Sequence, residues 1–423
     1  MRLKSALLFY YTKLNKYSFN ILLGALEEEE LLEKIKIYFA NSQKELFFLI
    51  DSLLLKYKKI ILCFSFFTTQ IWKIKEIIHR LKKKYSNKIL YIAGGPHPTG
   101  APFKTLEMGF DIVVTGEGEE TFKELLSKII EDQDIRNVKG IAFKDEKKGF
   151  ILTPKREFLD LNKYPPFSLK YNKFNPIEIT RGCSFGCHFC QTSYLFGKTL
   201  RHRSLDNICR YVEIMKKLNL LDIRFITPNA FSYGSSDGKN LNIKKLEELL
   251  SRIRKIIGQR GRIFIGSFPS EIRPEHVTEE TLSLILKYAN NDNITIGAQS
   301  GSQKVLDLIN RSHTVEDVYR AVKLSLKAGL KVNVDFIFGL PYETKKDIII
   351  TLKVIKDLVK MGAKIHAHSF LPLPQTPLFK SEFRPIDERL KKWIGRLTSK
   401  GLIFGNWLYQ SRLSQKIKEY FRE

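Results

Sequence analysis

Three cysteines constrain this chain more than any other feature. Residues 176–180, a proline followed by an Ile-Glu-Ile-Thr run, lead directly into Arg181-Gly182-Cys183-Ser184-Phe185-Gly186-Cys187-His188-Phe189-Cys190. The run reads as the end of a strand, and Cys183, Cys187 and Cys190 follow on a loop in C-x-x-x-C-x-x-C spacing. Thiolates that close together suit three irons of a [4Fe–4S] cluster and leave the fourth iron without a protein ligand. A disulfide and a structural zinc site are the alternatives. With 5 cysteines in the chain and no secretory signal, a disulfide is disfavoured. Closed zinc sites take four protein ligands, and only His188 lies nearby, within the motif itself. The spacing therefore favours a cluster with one open iron.

A chain of 423 residues is long enough for two cores, and 43% hydrophobic residues describe an ordinary globular protein. No apolar run approaches the ~20 residues of a membrane span, and 6–11 is too short for a signal peptide. The expected location is the cytoplasm, whose reducing conditions a cluster needs. The net charge of +26 suits an acidic partner such as RNA, an anionic membrane or a phosphorylated substrate. The lysines are spread over most expected helices and form no single arm. Solvated lysine faces are thus the favoured reading over nucleic-acid binding.

Strands are expected at 5–10, 45–50, 59–65, 88–93 and 111–114, with helices at 20–37, 70–85, 102–108 and 119–131. Nearly continuous apolar strands alternating with helices predict a doubly wound sheet over 1–135, with a ligand beyond the carboxyl ends of its strands. Two glycine loops fall there, Gly94-Gly95-Pro96-His97 onward and Thr115-Gly116-Glu117-Gly118-Glu119. Each can bring backbone N–H groups close to a ligand, or serve as ordinary turn and cap chemistry. Residues 136–175 read as a connector, with a small hairpin around Gly149. Beyond it, six strands (176–180, 222–227, 262–267, 293–298, 331–337 and 364–370) alternate with helices over 176–380. Ser204, Thr278, Thr314 and Thr344 are the expected N-caps, and Gly329 and Gly362 the expected C-terminal stops. This pattern predicts a partial (β/α)6 barrel with its chemistry at the carboxyl ends of the strands. A helical tail is expected over 381–423. Cys63 and Cys209 read as core residues. His366 and His368 alternate on the sixth strand and share a face. They read equally as acids or bases at the barrel mouth and as histidines satisfied locally.

The cysteine spacing, with Phe189 ahead of the last thiol, resembles the radical SAM superfamily. Other strand ends resemble it in register. Pro228 and Asn229 stand where members usually carry a Gly-Gly-Glu turn, which is missing here. Ser267 ends the third strand, Gln299-Ser300-Gly301 the fourth, and Arg311 and Phe338-Gly339-Leu340-Pro341 follow. The resemblance implies that the open iron chelates S-adenosylmethionine, with Phe189, Pro228, Asn229, Ser267, Gln299, Ser300 and Arg311 near it. It also implies an electron donor such as ferredoxin or flavodoxin.

Ser65, the Gly94-Gly95-Pro96-His97 loop and the Gly116-Glu117-Gly118 turn, ahead of such a motif, resemble the cobalamin-binding domain of cobalamin-dependent members. The Asp-x-His-x-x-Gly pattern of a histidine beneath the cobalt is missing, because Gly95 stands two before His97. The resemblance implies a methyltransferase. One S-adenosylmethionine methylates the cobalt, a second yields a 5′-deoxyadenosyl radical, and an unactivated substrate carbon gains the methyl group. The rivals are a methylthiotransferase-like RNA-modifying enzyme and a non-catalytic cobalamin or iron–sulfur carrier or sensor. Methylthiotransferases carry three further N-terminal cysteines, whereas only Cys63 precedes residue 135 here.

Overall fold

The computed structural model describes residues 3–27, 31–382 and 384–422. The chain divides into two compact units, Met1–Asn175 and Pro176–Glu423.

The first unit is built on a seven-stranded sheet of β1 (Leu3–Tyr10), β2 (Lys36–Ala40), β3 (Tyr57–Ser65), β4 (Ile89–Gly94), β5 (Ile112–Val114), β6 (Ile141–Asp145) and β7 (Gly149–Leu152). Their spatial order is β2-β1-β3-β4-β5-β6-β7. The first five strands are parallel, while β6 and β7 return antiparallel. The order reverses between β1 and β3, which is the switch point where doubly wound sheets open a ligand crevice. Asn15 bridges that point, since its Nδ2 donates to Tyr10 O at 2.9 Å and Ser65 O at 3.1 Å.

Two expected elements differ from the structure. Residues 45–50 form no strand but lie in the helix Gln43–Lys56, capped by Ser42. Leu46, Ile50 and Leu53 are its buried residues, and steps of four and three are helical spacing. The helix expected over 20–37 is instead Lys16–Leu26 and the short Leu31–Lys34, with residues 28–30 outside the described residues. Its last residues enter the edge strand β2, where Ile37, Tyr38 and Phe39 suit a pleated surface.

The connector expected over 136–175 is part of the first unit. The hairpin of β6 and β7 extends the sheet, and Val138, Ile141 and Phe143 join its main core. Further on, Glu27 accepts backbone hydrogen bonds from Leu169 and Lys170 at 3.1 and 2.9 Å.

In the second unit, β8 (Ile177–Glu178) is short. The next pair, β9 (Thr180–Arg181) and β10 (Arg201–His202), is antiparallel and closes the base of the cysteine loop. The barrel continues through β11 (Asp222–Ile226), β12 (Arg262–Phe264), β13 (Asn293–Gln299), β14 (Lys331–Phe338) and β15 (Lys364–Ser369). β8, β11 and β12 form one parallel arc, and β13 to β15 another. Thr295 N donating to Gly266 O at 2.8 Å joins the two arcs. The expected tail is more than helical. Between the helices Glu388–Ser399 and Trp407–Arg422 lies β16 (Ile403–Phe404), parallel to β15. Ser204, Thr278, Thr314 and Thr344 each cap a helix through the side chain, and Gly362 ends one in the left-handed conformation.

Candidate cluster and cofactor sites

The cysteine loop leaves β9 and is held by its own backbone. Cys183 N donates to Gly197 O at 3.0 Å, Ser193 Oγ to Cys183 O at 2.7 Å, and Cys190 N to Cys187 O at 3.1 Å. Gly182 has to be glycine, because at φ +87° a Cβ would lie 2.1 Å from Thr199 O. His188 is turned away from the thiols. Its N donates to Ile309 O at 3.0 Å and its Nδ1 lies 2.9 Å from Leu308 O, which removes the one histidine a closed zinc site could have used.

All three thiols are free and line one cavity of ≈ 120 Å³, together with Phe185, Phe189, Pro228, Glu271, Arg273, Gln299 and Arg311. Arg311 Nη1 lies 3.5 Å from Cys187 Sγ, and Arg273 Nη1 lies 3.8 Å from it. Burial alone would push the Cys187 thiol up, but these two guanidinium groups outweigh it and hold Cys187 below the ordinary thiol range. Cys190, half-buried, is pushed up by desolvation. Free thiols on one loop, with cations set against a sulfur, are the donor set an iron–sulfur cluster uses.

Opposite the thiols, Gly297 makes room for polar groups. A Cβ there would lie 2.7 Å from Arg311 Nη2, 2.8 Å from Gln299 Nε2 and 3.3 Å from Glu271 Oε2. Glu271 lines the same cavity although the residue as a whole is exposed, and local desolvation and the neighbouring Asp335 push its carboxyl up. The cavity thus offers an amide, a guanidinium and a carboxyl within reach of the cluster loop. These groups match the amino-acid end and hydroxyls of S-adenosylmethionine.

Of the expected contacts, Phe189, Pro228, Gln299 and Arg311 line this cavity. Asn229, Ser267 and Ser300 are engaged elsewhere. Asn229 Nδ2 lies 2.6 Å from His276 Nδ1, and its Oδ1 accepts from Arg273 N at 3.2 Å. Ser300 Oγ faces Thr351 Oγ1 at 3.4 Å, and Ser267 Oγ accepts from Asn291 at 3.4 Å. Glu271 and Arg273 were not singled out from the sequence. Their signal was the Ser270-Glu271-Ile272-Arg273 run at a strand end, charged residues next to an apolar strand.

In the first unit, Ser65, Gly94 and Gly116 stand at the carboxyl edge of β3, β4 and β5. Ser65 is paired with Gly94, and Gly116 N donates to Thr99 Oγ1 at 3.1 Å. No atom lies within 4 Å of where a Gly116 Cβ would sit, and at Gly94 the nearest is 3.8 Å away. The two glycines therefore leave open space beside the backbone at these strand ends, which fits a ligand approaching it closely. Gly95 is needed for another reason, since its Cβ would lie 2.7 Å from Ser65 Oγ. His97 is wholly buried with its ring 5.4 Å from that of Phe66, and desolvation holds it down to about 3. It is a core histidine and offers no ligand beneath a cobalt. Glu117 is also buried and accepts from Leu159 N at 3.0 Å, so it fastens the connector, and Gly118 opens the helix Gly118–Ile130.

Residues 177–355 match the profile of the radical SAM superfamily, and residues 13–126 match the B12 binding domain. The chain belongs to the radical SAM superfamily. These two families assign it a [4Fe–4S] cluster, S-adenosylmethionine and cobalamin. Among its relatives, an uncharacterized methyltransferase of Pyrococcus horikoshii is 26% identical over 66% of this chain and 61% of that protein. A putative methylthiotransferase of Methanocaldococcus jannaschii is 31% identical over 67% of this chain and 61% of its own length. The chain thus spans about three fifths of the length of these relatives. The radical S-adenosylmethionine methyltransferase TsrM of Kitasatospora setae, solved with tryptophan and a SAM analogue, superposes with a TM-score of 0.68 at 18% identity. That match covers 89% of this chain and 75% of TsrM. The cobalamin-dependent radical enzyme OxsB gives a TM-score of 0.65 at 18% identity, over 84% of this chain and 52% of OxsB. At such identity these likenesses establish the fold. Among the described residues no helix is long and apolar enough to cross a membrane.

Proposed function

We propose that the chain is a cobalamin-dependent radical SAM methyltransferase acting on an unactivated carbon. The observation that carries this is the pairing, in one chain, of the thiol-lined cavity of the second unit with a B12-binding first unit whose strand-end glycines stand open. When bound, the cofactors supply reductive cleavage of the sulfonium, hydrogen abstraction and methyl carriage, all chemistry that belongs to them and not to side chains.

The protein's part is binding, orientation and exclusion of water. Cys183, Cys187 and Cys190 would hold the cluster, and Arg311 and Arg273 place positive charge against one of its sulfurs. Gln299, Arg311 and Glu271 would grip the polar end of S-adenosylmethionine, while Phe185, Phe189 and Pro228 supply apolar walls around it. In the first unit, Gly94 and Gly116 would leave room for a corrinoid against the backbone, while His97 is held in the core. An external electron donor of the ferredoxin or flavodoxin type completes the scheme.

The methylthiotransferase reading gains from the names of several relatives, but only Cys63 precedes residue 135 where a second cluster would need three thiols. Cys63 is buried in the core, and its thiol is pushed far up by desolvation.

The test is anaerobic reconstitution with iron, sulfide and hydroxocobalamin, followed by reduction with S-adenosylmethionine present. Both 5′-deoxyadenosine and S-adenosylhomocysteine should form, the second only with cobalamin loaded. Replacing Cys183, Cys187 and Cys190 with alanine should abolish the first product. If 5′-deoxyadenosine forms but S-adenosylhomocysteine never does, the methyl-transfer reading falls and a radical enzyme of another outcome remains.

A further inference from the structure

Away from the cysteine loop, two adjacent barrel strands bring three potential ligands together. Asp335 on β14 and His366 and His368 on β15 place one donor atom each within 4.8 Å of one another. His366 Nδ1 lies 3.0 Å from Asp335 Oδ1 and 3.1 Å from His368 Nε2. Ligand atoms held 2.0–2.1 Å from a shared zinc-like ion are themselves about 3–3.4 Å apart, which the two contacts of His366 already meet, with Asp335 and His368 within 4.8 Å of each other.

Hydrogen bonding accounts for the arrangement less well. An imidazole nitrogen has a single in-plane lobe, and His366 Nδ1 lies within contact of both a carboxylate oxygen and a second ring nitrogen. One proton there serves one of the two contacts, whereas a cation serves all three donors.

The surroundings hold each ligand in place. Glu271 neighbours the Asp335 carboxyl, and Gln410, which accepts from Ser369 N at 2.9 Å, neighbours His368. The His366 ring stacks on Phe404 at 4.6 Å with 8° between planes. Glycine at 405, at φ +120°, lets the backbone pass over that ring, since a Cβ would lie 3.0 Å from His366 Cδ2. Outer partners of this kind orient metal-binding histidines and carboxylates. Asp335 is buried while both histidines are only half-buried, which leaves one side open.

We infer that Asp335, His366 and His368 form a site for one divalent first-row transition ion of the zinc class, separate from the cluster. Two histidines and a carboxylate with an open position make a catalytic ligand set, not a structural one. The open position would take an oxygen or nitrogen of a small-molecule ligand. Glu271 stands between the two sites, because it lines the cysteine cavity and neighbours Asp335. Binding of the ion needs neither S-adenosylmethionine nor cobalamin, so it stands or falls apart from the methyltransferase reading.

The test uses the full chain with Cys183→Ala, Cys187→Ala and Cys190→Ala, so that no motif thiolate competes. Titration with Co²⁺ should give visible d–d absorption saturating at one ion per chain, displaced by one equivalent of Zn²⁺. His366→Asn and His368→Asn, each added to that chain, should weaken Co²⁺ binding at least tenfold with an unchanged far-ultraviolet spectrum. If the cysteine variant does not fold, cluster-reconstituted wild type is incubated with Zn²⁺, desalted and analysed for metals. One zinc per chain is then expected in the wild type and none with His366→Asn. Absence of the extra ion, or equal binding by the histidine variants, overturns the site.

Discussion

At the scale of single residues, the cavity depends on what is missing at 297. Alanine there would press on Arg311 Nη2, Gln299 Nε2 and Glu271 Oε2 at 2.7, 2.8 and 3.3 Å. Gly297→Ala should therefore weaken S-adenosylmethionine binding about tenfold or more, a loss of ~1.4 kcal/mol. Because the thiols are untouched, iron content should stay at wild-type level. Equilibrium dialysis beside iron analysis separates the two, and unchanged affinity would remove these three groups from the ligand's path. His97 makes a prediction of the opposite kind, about folding. It stays neutral in the folded protein down to about pH 3, while the unfolded chain takes a proton near the ordinary histidine value. The unfolded state then binds more protons, so stability is lost as pH falls from about 6.5 toward 3, at ~1.4 kcal/mol per unit. His97→Gln removes that share. Denaturant melts between pH 7 and 4.5 should show the wild type losing ground to the variant on acidification, and parallel curves would mean His97 is already solvated.

At the scale of elements, helix Lys345–Met361 starts with a reciprocal cap, Thr344 Oγ1 accepting from Asp347 N while Asp347 accepts from Thr344 N. Thr344→Ala should cost about 1 kcal/mol, and more if Asp347 then loses its place beside Ser302. A urea midpoint shift of that size checks it. Such caps were legible because a cap is local: a Thr followed three residues on by Asp contains its own partner. The barrel strands were legible for a similar reason, since each is a β-rich run bounded by turn residues. Residues 36–50 were misread because their order depends on non-local pairing. The Leu46–Ile50–Leu53 spacing belongs to a helix packed on the sheet, and Ile37–Phe39 to an edge strand that needs β1 beside it. The site shows the same limit. Strand-end position located Gln299 correctly and the backbone of Ser300, but not the Ser300 side chain. The register shifts between Gly297 and Gln299, and Gln299 takes φ +73°. That irregularity puts Gln299 in the cavity and turns Ser300 to Thr351. A bulge re-aims side chains in this way and leaves little trace in one sequence.

At the scale of the whole molecule, the first unit tests where a domain ends. Sequence pattern placed its end near 135, because the alternation of helix and parallel strand stops there. The structure continues it to Asn175 with an antiparallel hairpin on β5. The energetic difference is large. Val138, Ile141 and Phe143 are core residues, and burying each contributes about 1.5–3 kcal/mol, roughly 5–9 kcal/mol together. A domain's net stability is about 5–15 kcal/mol, so cutting at 135 removes much or all of it. It also exposes the edge of β5 to unpaired contact. Residues 1–175, expressed alone, should fold cooperatively and bind hydroxocobalamin, whereas 1–135 should give no cooperative melt and tend to aggregate. Circular dichroism melts with optical titration of the corrinoid read both outcomes. If 1–135 melted cooperatively, the hairpin would be an appendage. If 1–175 folded yet bound no corrinoid, the open space at Gly94 and Gly116 would be too little to hold the ligand by itself.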